Sequence, residues 1–206
     1  MLSRPPSLVT VADLVSFEAE IAEHFNRGDI RAPIHLSGGN EESLIRIFRH
    51  SIRPGDWVAC SWRSHYHCLL KGVPRNELKA AIMAGRSITL CFPEHRIISS
   101  AIVGGVLPIA LGLAWSIRRH DGLEKVWAFC GDMTAMSGMF MECMRYAAGH
   151  RLPIQFVIES NGKSVCTDTF ATWGIRSPHE SLPLMSQTYH YDLPWPHSGA
   201  GKRVEF

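Results

Sequence analysis

The pattern of hydrophobic and polar positions predicts helices and short strands that alternate along the chain. Leu14, Phe17, Ile21 and Phe25 fall on one face of a helix, and Gly28 follows them as a stop signal. Further helical patterns cover 42–52, 75–85 and 103–119. The short apolar run at 56–61 predicts a buried strand. We find no internal repeat and no low-complexity linker, so we expect one domain over 1–206.

The centre of the chain has the clearest pattern. An apolar strand is predicted at 126–130, an amphipathic helix follows from Met139 to Ala148, and a second strand follows at 153–158. The order strand, helix, strand is typical of a βαβ unit with parallel strands. The predicted fold is therefore α/β, with a parallel sheet flanked by helices. From about residue 173 the chain is rich in proline, glycine and aromatic residues, and we expect an irregular tail there.

Two oxygen-bearing side chains follow the two central strands. Asp132 comes after the first strand and Asn161 after the second. Loops at the carboxyl ends of parallel strands share one edge of a sheet, where open α/β folds bind ligands. Carboxylate and amide oxygens suit Mg²⁺, which also binds phosphate oxygens. Each residue alone is more often structural. Together, with Gly131 for a tight turn and a helix N-terminus near Gly138, they predict a site for a diphosphate and Mg²⁺.

Composition narrows the class of protein. The net charge of +2 and the absence of a long basic run argue against a nucleic-acid binder. Six scattered cysteines without a CxxC pair argue against structural zinc and against a disulfide framework. The longest apolar segment is too short for a membrane span and contains a proline, and no signal peptide is evident. We expect a cytoplasmic protein with reduced thiols.

Four motifs occur in the order found in one enzyme family. They are "HLSGGNEES", "WRSHYHCLLKGVP", "SAIVGGVLPIALGLA" and "GDMTAMSGMFMECMRYAAGHRLPIQFVIESN". This set resembles the alpha subunit of the decarboxylase components of pyruvate and branched-chain 2-oxo acid dehydrogenases, over about 17–172. The resemblance implies a thiamine diphosphate-binding fold and an enzyme acting on a 2-oxo acid or ketose-type carbonyl, with decarboxylation and acyl or aldehyde transfer.

The resemblance also implies roles for particular residues. Mg²⁺ would be held by the side chains of Asp132 and Asn161 and by the backbone carbonyl of Lys163. Trp62 and Arg63 occupy the place of a Tyr-Arg pair, with Arg63 on the diphosphate, a role that suits a forked guanidinium. The remaining implied residues are Met133 and Thr134 beside Asp132, Ala101 and Val103 at the aminopyrimidine ring, and His65 as a catalytic group near the reacting carbon.

The same resemblance implies a partner. The matched motifs belong to the diphosphate-binding domain, and 206 residues leave little room for the pyrimidine-binding domain and its activating glutamate. Glu41 matches an alpha-subunit element and is not that glutamate. We expect a beta-like subunit to supply it in an α2β2 heterotetramer, with the helix at 103–115 as a candidate contact.

Several departures leave alternatives open. "GDM" stands where the family has "GDG", "SN" stands for "NN", and the final thirty or so residues do not follow the long family C-terminus or its histidine-bearing loop. A transketolase-like or acyloin-forming subunit of a specialised pathway is the alternative enzyme. A non-catalytic relative is another, and Met133 is the feature that favours it. A nucleotide-binding Rossmann protein is a weaker alternative, because no GxGxxG motif follows a predicted strand.

Overall fold

The computed structural model describes residues 9–174, 186–199, 201 and 203–206. Its helices are α1 Val11–Asn26, α2 Glu41–His50, α3 His65–Leu70, α4 Arg75–Met83, α5 Val106–Arg119, α6 Asp132–Ala135, α7 Gly138–Gly149 and α8 Thr169–Trp173. Its strands are β1 Trp57–Cys60, β2 Cys91–Phe92, β3 Ile97–Ser99, β4 Val126–Gly131, β5 Ile154–Ser160, β6 Lys163–Ser164, β7 Thr167–Asp168 and β8 Ser186–His190.

One six-stranded sheet organises the chain, in the order β2-β3-β1-β4-β5-β8. The pairs β3–β1, β1–β4, β4–β5 and β5–β8 are parallel, and only β2 on β3 is antiparallel among these. β6 and β7 form a separate small hairpin. The expected parallel α/β sheet is therefore confirmed, and the carboxyl ends of its five parallel strands share one edge.

The core lies on both faces of the sheet. One buried cluster joins α1 through α4 to the sheet and includes Phe17, Leu44 and Phe129. The other joins α5 and α7 to the opposite face and includes Leu107 and Phe140. The central strand β4 is buried along its length up to Cys130, as expected for a parallel strand covered on both sides. The three layers hold the loops at the carboxyl edge in fixed relative positions.

The predicted helices and strands are confirmed within a few residues at each end. α1 begins one turn before the first predicted apolar position, because Thr10 and Asp13 form a capping box there. β4, α7 and β5 form the predicted βαβ unit.

The expectation of an irregular tail from about 173 is wrong for part of it. α8 continues through Trp173, and β8 pairs with β5 along the edge of the sheet. The short alternating run before the proline-rich stretch is the sequence signal for this strand. Residues 175–185 lie outside the described part of the chain.

None of the helices that the structure describes combines the length and the apolar character that a membrane crossing requires.

Candidate active site

The segments at the carboxyl ends of four parallel strands line one cleft. Its lining comes from the loops after β1, β4 and β5 and from the first residue after β8. The lining residues are Ser61, Trp62, Arg63, Gly131, Asp132, Met133, Thr134, Glu159, Asn161, Lys163, Ser164, Val165 and Tyr191. The structure thus brings together seven of the predicted residues: Trp62, Arg63, Asp132, Met133, Thr134, Asn161 and Lys163.

Asp132 is fully buried at the bottom of this edge. Its Oδ1 accepts a hydrogen bond from the Met133 N–H at 3.0 Å. Among the residues that the structure describes, none makes a hydrogen bond to its Oδ2. Burial raises the pKa of Asp132, and the hydrogen bond from the Met133 N–H opposes that shift only in part. A buried carboxylate with a free oxygen is the kind of group that a cation would stabilise.

Asn161 is held from both ends of its amide. Its Oδ1 accepts from the Lys163 N–H at 3.0 Å, and its Nδ2 donates to the Tyr191 hydroxyl, also at 3.0 Å. The turn passes through Gly162 at φ +73, a conformation that favours glycine. The turn brings Asn161 and Lys163 to the same cleft.

The hairpin after β5 is anchored beside Asp132. In this hairpin Lys163 of β6 lies opposite Asp168 of β7. The Asp168 side chain caps α8 by accepting a hydrogen bond from the Ala171 N–H at 2.7 Å. Thr169 is fully buried, and its hydroxyl makes no hydrogen bond within the described ranges. The orphaned oxygens of Asp132 and Thr169 leave this part of the cleft with unused ligand capacity.

Arg63 and Trp62 present polar groups that lack protein partners. Nη2 of Arg63 lies 3.4 Å from Nδ1 of His197, a long contact. Arg63 Nε and Trp62 Nε1 are buried, and no hydrogen-bond partner for either occurs in the described part of the chain. Burial lowers the pKa of Arg63, while Tyr191 and Glu159 oppose the shift. The unpaired N–H groups of Arg63 and Trp62, together with the positive charge of the Arg63 guanidinium, favour an anionic ligand at this position.

Met133 points toward α8. Its Sδ accepts a hydrogen bond from Trp173 Nε1 at 3.1 Å, so the thioether contacts the indole at the rim of the cleft. The expectation that Gly131 is needed for a tight turn is wrong: its φ is −72, and an added Cβ would meet nothing within 4 Å.

Ala101 and Val103 lie outside the lining of the cleft, on an exposed segment before α5. Gly104 connects this segment to the site, because a Cβ built there would lie 3.7 Å from the Thr134 side chain. The predicted contact of Ala101 and Val103 with an aminopyrimidine ring stays a prediction.

His65 does not reach the cleft. It is fully buried, with Nδ1 3.1 Å from Glu18 Oε1 and Nε2 2.9 Å from the Ser87 hydroxyl. Both ring nitrogens are thus used in a buried network, and Glu18 also accepts from the Ser37 N–H. His65 therefore belongs to a buried network outside the cleft, and its predicted catalytic contact stays a prediction.

Sequence reasoning missed three residues at the site. Glu159 lies within β5, accepts a short hydrogen bond from the Tyr189 hydroxyl and lies 3.4 Å from His67 Nε2. Tyr191 and His197 come from the tail, and His197 stacks on His35 with ring centroids 4.2 Å apart. The tail thus places a histidine beside Arg63, although its sequence was not matched to the family's histidine-bearing loop. Glu159 stands two residues before Asn161 inside the matched motif, which was the available signal.

The chain is similar to known proteins over most of its length. The family "Dehydrogenase E1 component" matches residues 10–174. The pyruvate dehydrogenase E1 component subunit alpha-3 of rice chloroplasts is 31% identical over 182 residues, covering 78% of this chain and 43% of the relative. The subunit alpha of acetoin:2,6-dichlorophenolindophenol oxidoreductase from Cupriavidus necator is 31% identical over 161 residues, covering 73% and 48%. This chain spans about half the length of these relatives.

A Mycobacterium smegmatis protein assigned as a thiamin diphosphate-dependent enzyme superposes on 64% of this chain and 23% of its own, with 18% identity and a TM-score of 0.44.

Proposed function

Since the chain belongs to the dehydrogenase E1 component family, we propose that it is an alpha-type subunit that binds thiamine diphosphate and Mg²⁺. The observation that carries this proposal is the meeting of Asp132, Asn161, Lys163 and Arg63 in one cleft at the carboxyl edge of the sheet. The reaction proposed is decarboxylation of a 2-oxo acid with transfer of the acyl or aldehyde product. The transketolase-like alternative finds no support among the relatives.

The donor set of the cleft fits a magnesium ion. Asp132 Oδ2 is buried and unpartnered, Asn161 contributes an amide oxygen, and the backbone carbonyl of Lys163 completes a set of hard oxygen ligands. No group of three His, Cys, Asp or Glu side chains suited to a metal occurs among the described residues. Mg²⁺ often keeps only one or two carboxylates, so a mixed set with phosphate oxygens is the expected arrangement.

The chain's residues would bind and orient, and the cofactor would react. Thiamine diphosphate, when bound, supplies the nucleophilic carbon and the electron sink for chemistry at a carbonyl. Arg63 would place its guanidinium against a diphosphate oxygen, and its unpaired Nε–H would donate a hydrogen bond to that oxygen. Asp132 would balance the cation, and its burial would keep water from competing for the metal.

A beta-like partner subunit is part of the proposal. Apolar side chains next to the cleft are exposed, among them Ile102 at 72%, Val103 at 50% and Ile109 at 51%. Ile102 and Val103 lie on the segment before α5, and Ile109 lies within α5. We propose that this surface contacts the subunit that supplies the activating glutamate. Two-fold symmetry of such subunits leads to the proposed α2β2 assembly.

The proposal is tested by reconstitution. The chain is purified alone and co-expressed with the protein of the neighbouring gene. Each sample is then assayed for 2-oxo acid decarboxylation with thiamine diphosphate, Mg²⁺ and an artificial electron acceptor. We expect turnover only in the co-expressed sample and its loss in Asp132→Ala. Cofactor binding without turnover on any 2-oxo acid would favour a non-catalytic relative, for which Met133 in place of glycine is the motivating residue. Turnover by the lone chain would refute the split site.

A further inference from the structure

Tyr191 reaches the cleft because β8 places it there. β8 runs parallel to β5, with His190 opposite Ser160, and the Tyr191 N–H donates to the Ser160 carbonyl at 3.0 Å. The next residue of β5's chain is Asn161, so the two strands end side by side. The pairing brings a tail residue to the edge where the metal ligands of the proposed function lie.

The hydroxyl of Tyr191 contacts the amide end of Asn161. It accepts from Nδ2 at 3.0 Å, while the Lys163 N–H donates to Oδ1 at 3.0 Å. A backbone N–H needs an acceptor, so the second bond fixes which end of the amide carries oxygen. With Nδ2 directed at Tyr191 and Oδ1 at Lys163, the amide has one orientation, and Oδ1 keeps a lone pair for another ligand.

The Tyr191 hydroxyl can bond in two directions. It accepts from Asn161 Nδ2, and its own proton can still be donated toward the cleft that it lines.

We propose that Tyr191 is a positioning residue for the cation site, acting through Asn161: it holds the amide so that Oδ1 is presented to Mg²⁺. The inference rests on the proposed function. Outer-shell partners of this kind typically change metal affinity by about 10- to 100-fold when they are removed. It also assigns a task to the tail, because the site is complete only when β8 is paired with β5.

A merely structural role is the competing explanation. The Tyr191 ring lies 5.8 Å from the Tyr189 ring and packs against the core cluster of α1 to α4. Tyr191→Phe keeps the ring and removes only the hydroxyl. Tyr189→Phe is the matched control, because it removes a buried hydroxyl from the same segment, bonded to Glu159 and Asn40, without touching Asn161.

The experiment titrates Mg²⁺ at a fixed excess of thiamine diphosphate. It uses the full chain assembled with its beta-like partner and follows cofactor binding by calorimetry. We expect Tyr191→Phe to need about 10- to 100-fold more Mg²⁺ for half-maximal binding, with circular dichroism unchanged. Tyr189→Phe should lower the melting temperature but leave the Mg²⁺ requirement within about threefold of wild type, because mutations without a shared partner act independently.

A double-mutant cycle shows whether Tyr191 acts through Asn161. Asn161→Ala alone should raise the Mg²⁺ requirement, and adding Tyr191→Phe should raise it by less than about threefold more, since both changes remove one interaction. Additive losses overturn the inference, as does a wild-type Mg²⁺ requirement in Tyr191→Phe while Asp132→Ala fails to bind. If the wild-type complex binds no thiamine diphosphate with Mg²⁺, the proposed function fails and the inference fails with it.

Discussion

Replacing Asp132 by Asn should stabilise the apo chain and at the same time weaken cation binding. The carboxylate has no exposed surface, and within the described residues only its Oδ1 receives a hydrogen bond. Burial accordingly raises its pKa. Asn has nearly the same shape, can keep the bond from the Met133 N–H, and can direct its NH₂ toward the unpaired Thr169 hydroxyl. The variant therefore removes a buried charge without creating a cavity.

The magnitude follows from the missing partner. A buried polar group left without a hydrogen bond costs roughly 1 to 3 kcal/mol, and a charged one costs more. We expect Asp132→Asn to raise the free energy of unfolding of the apo chain by about that amount at pH 7. For a chain of this size each kcal/mol moves the melting temperature by roughly 2 to 4 °C. The same variant should weaken Mg²⁺-dependent thiamine diphosphate binding by roughly 100- to 1,000-fold, on the scale of breaking a buried charge pair.

The pH dependence supplies a second signature. The folded-state pKa of Asp132 lies above its unfolded value, so wild-type stability from this group is greatest at acid pH, where both states are protonated. That contribution is lost as the pH rises from the unfolded value through the folded one. The melting temperatures of wild type and Asp132→Asn should therefore be close near pH 3.5 and diverge toward neutrality, with the variant higher.

Differential scanning calorimetry of both proteins between pH 3.5 and 8, without metal, measures this directly. Excess Mg²⁺ with thiamine diphosphate, in the assembled complex, should reverse the order, because wild type gains more binding energy than the variant. A variant that is less stable than wild type at neutral pH without metal would show that the carboxylate is already compensated, and the reasoning from its orphaned oxygen would be refuted.

Three further predictions concern charge, tail docking and acid stability. Arg63→Gln should weaken thiamine diphosphate binding by roughly 10- to 100-fold in calorimetry, because charge-assisted bonds to phosphate are lost; unchanged affinity would remove Arg63 from the site. Gly39→Ala should destabilise the chain in urea by roughly 2 kcal/mol more than Gly28→Ala. Both glycines have positive φ, but of the two only Gly39 would place a Cβ against a backbone atom, the Asp192 oxygen at 2.2 Å. Equal losses of stability in the two variants would contradict the docking of the tail. Asp56→Asn should lower stability at pH 7 by roughly 1 to 3 kcal/mol and flatten the acid side of the stability–pH profile. Although burial raises the pKa of the Asp56 carboxyl, four hydrogen bonds lower it below its usual value. The stability that Asp56 contributes is therefore present above the unfolded pKa and lost as the pH falls through the folded pKa. Parallel stability–pH profiles would contradict this.

The central βαβ unit was predictable because its pattern is strong. β4 is a continuous apolar run, and α7 shows helical spacing from Phe140 to Ala147, so periodicity alone identifies them. The neighbouring positions of Asp132 and Asn161 then follow from parallel pairing. The family motifs also pointed to Trp62 and Arg63 as residues of the cleft, because both follow the strand β1 and the loop after β1 lines the cleft.

Short elements and long-range contacts were not predictable in the same way. β2, β3 and the β6–β7 hairpin have two or three residues each, too few to show a period. β8 is stabilised by pairing with β5, which is a tertiary contact. His65 carries the residue type expected of a catalytic group, but its burial against Glu18 and Ser87 depends on how α3 packs under α1. Sequence spacing therefore located the cleft and left its tail-derived residues unidentified.

The most direct test of the central claim is to locate the bound metal. Mn²⁺ can replace Mg²⁺ in crystals of the complex grown with thiamine diphosphate, and its anomalous scattering identifies it. We predict one peak in the cleft, bound to the side chains of Asp132 and Asn161 and to the Lys163 carbonyl oxygen, at distances near the roughly 2.1 Å typical of such oxygen sites. A peak held by other residues, or cofactor density without a metal in this cleft, would contradict the account.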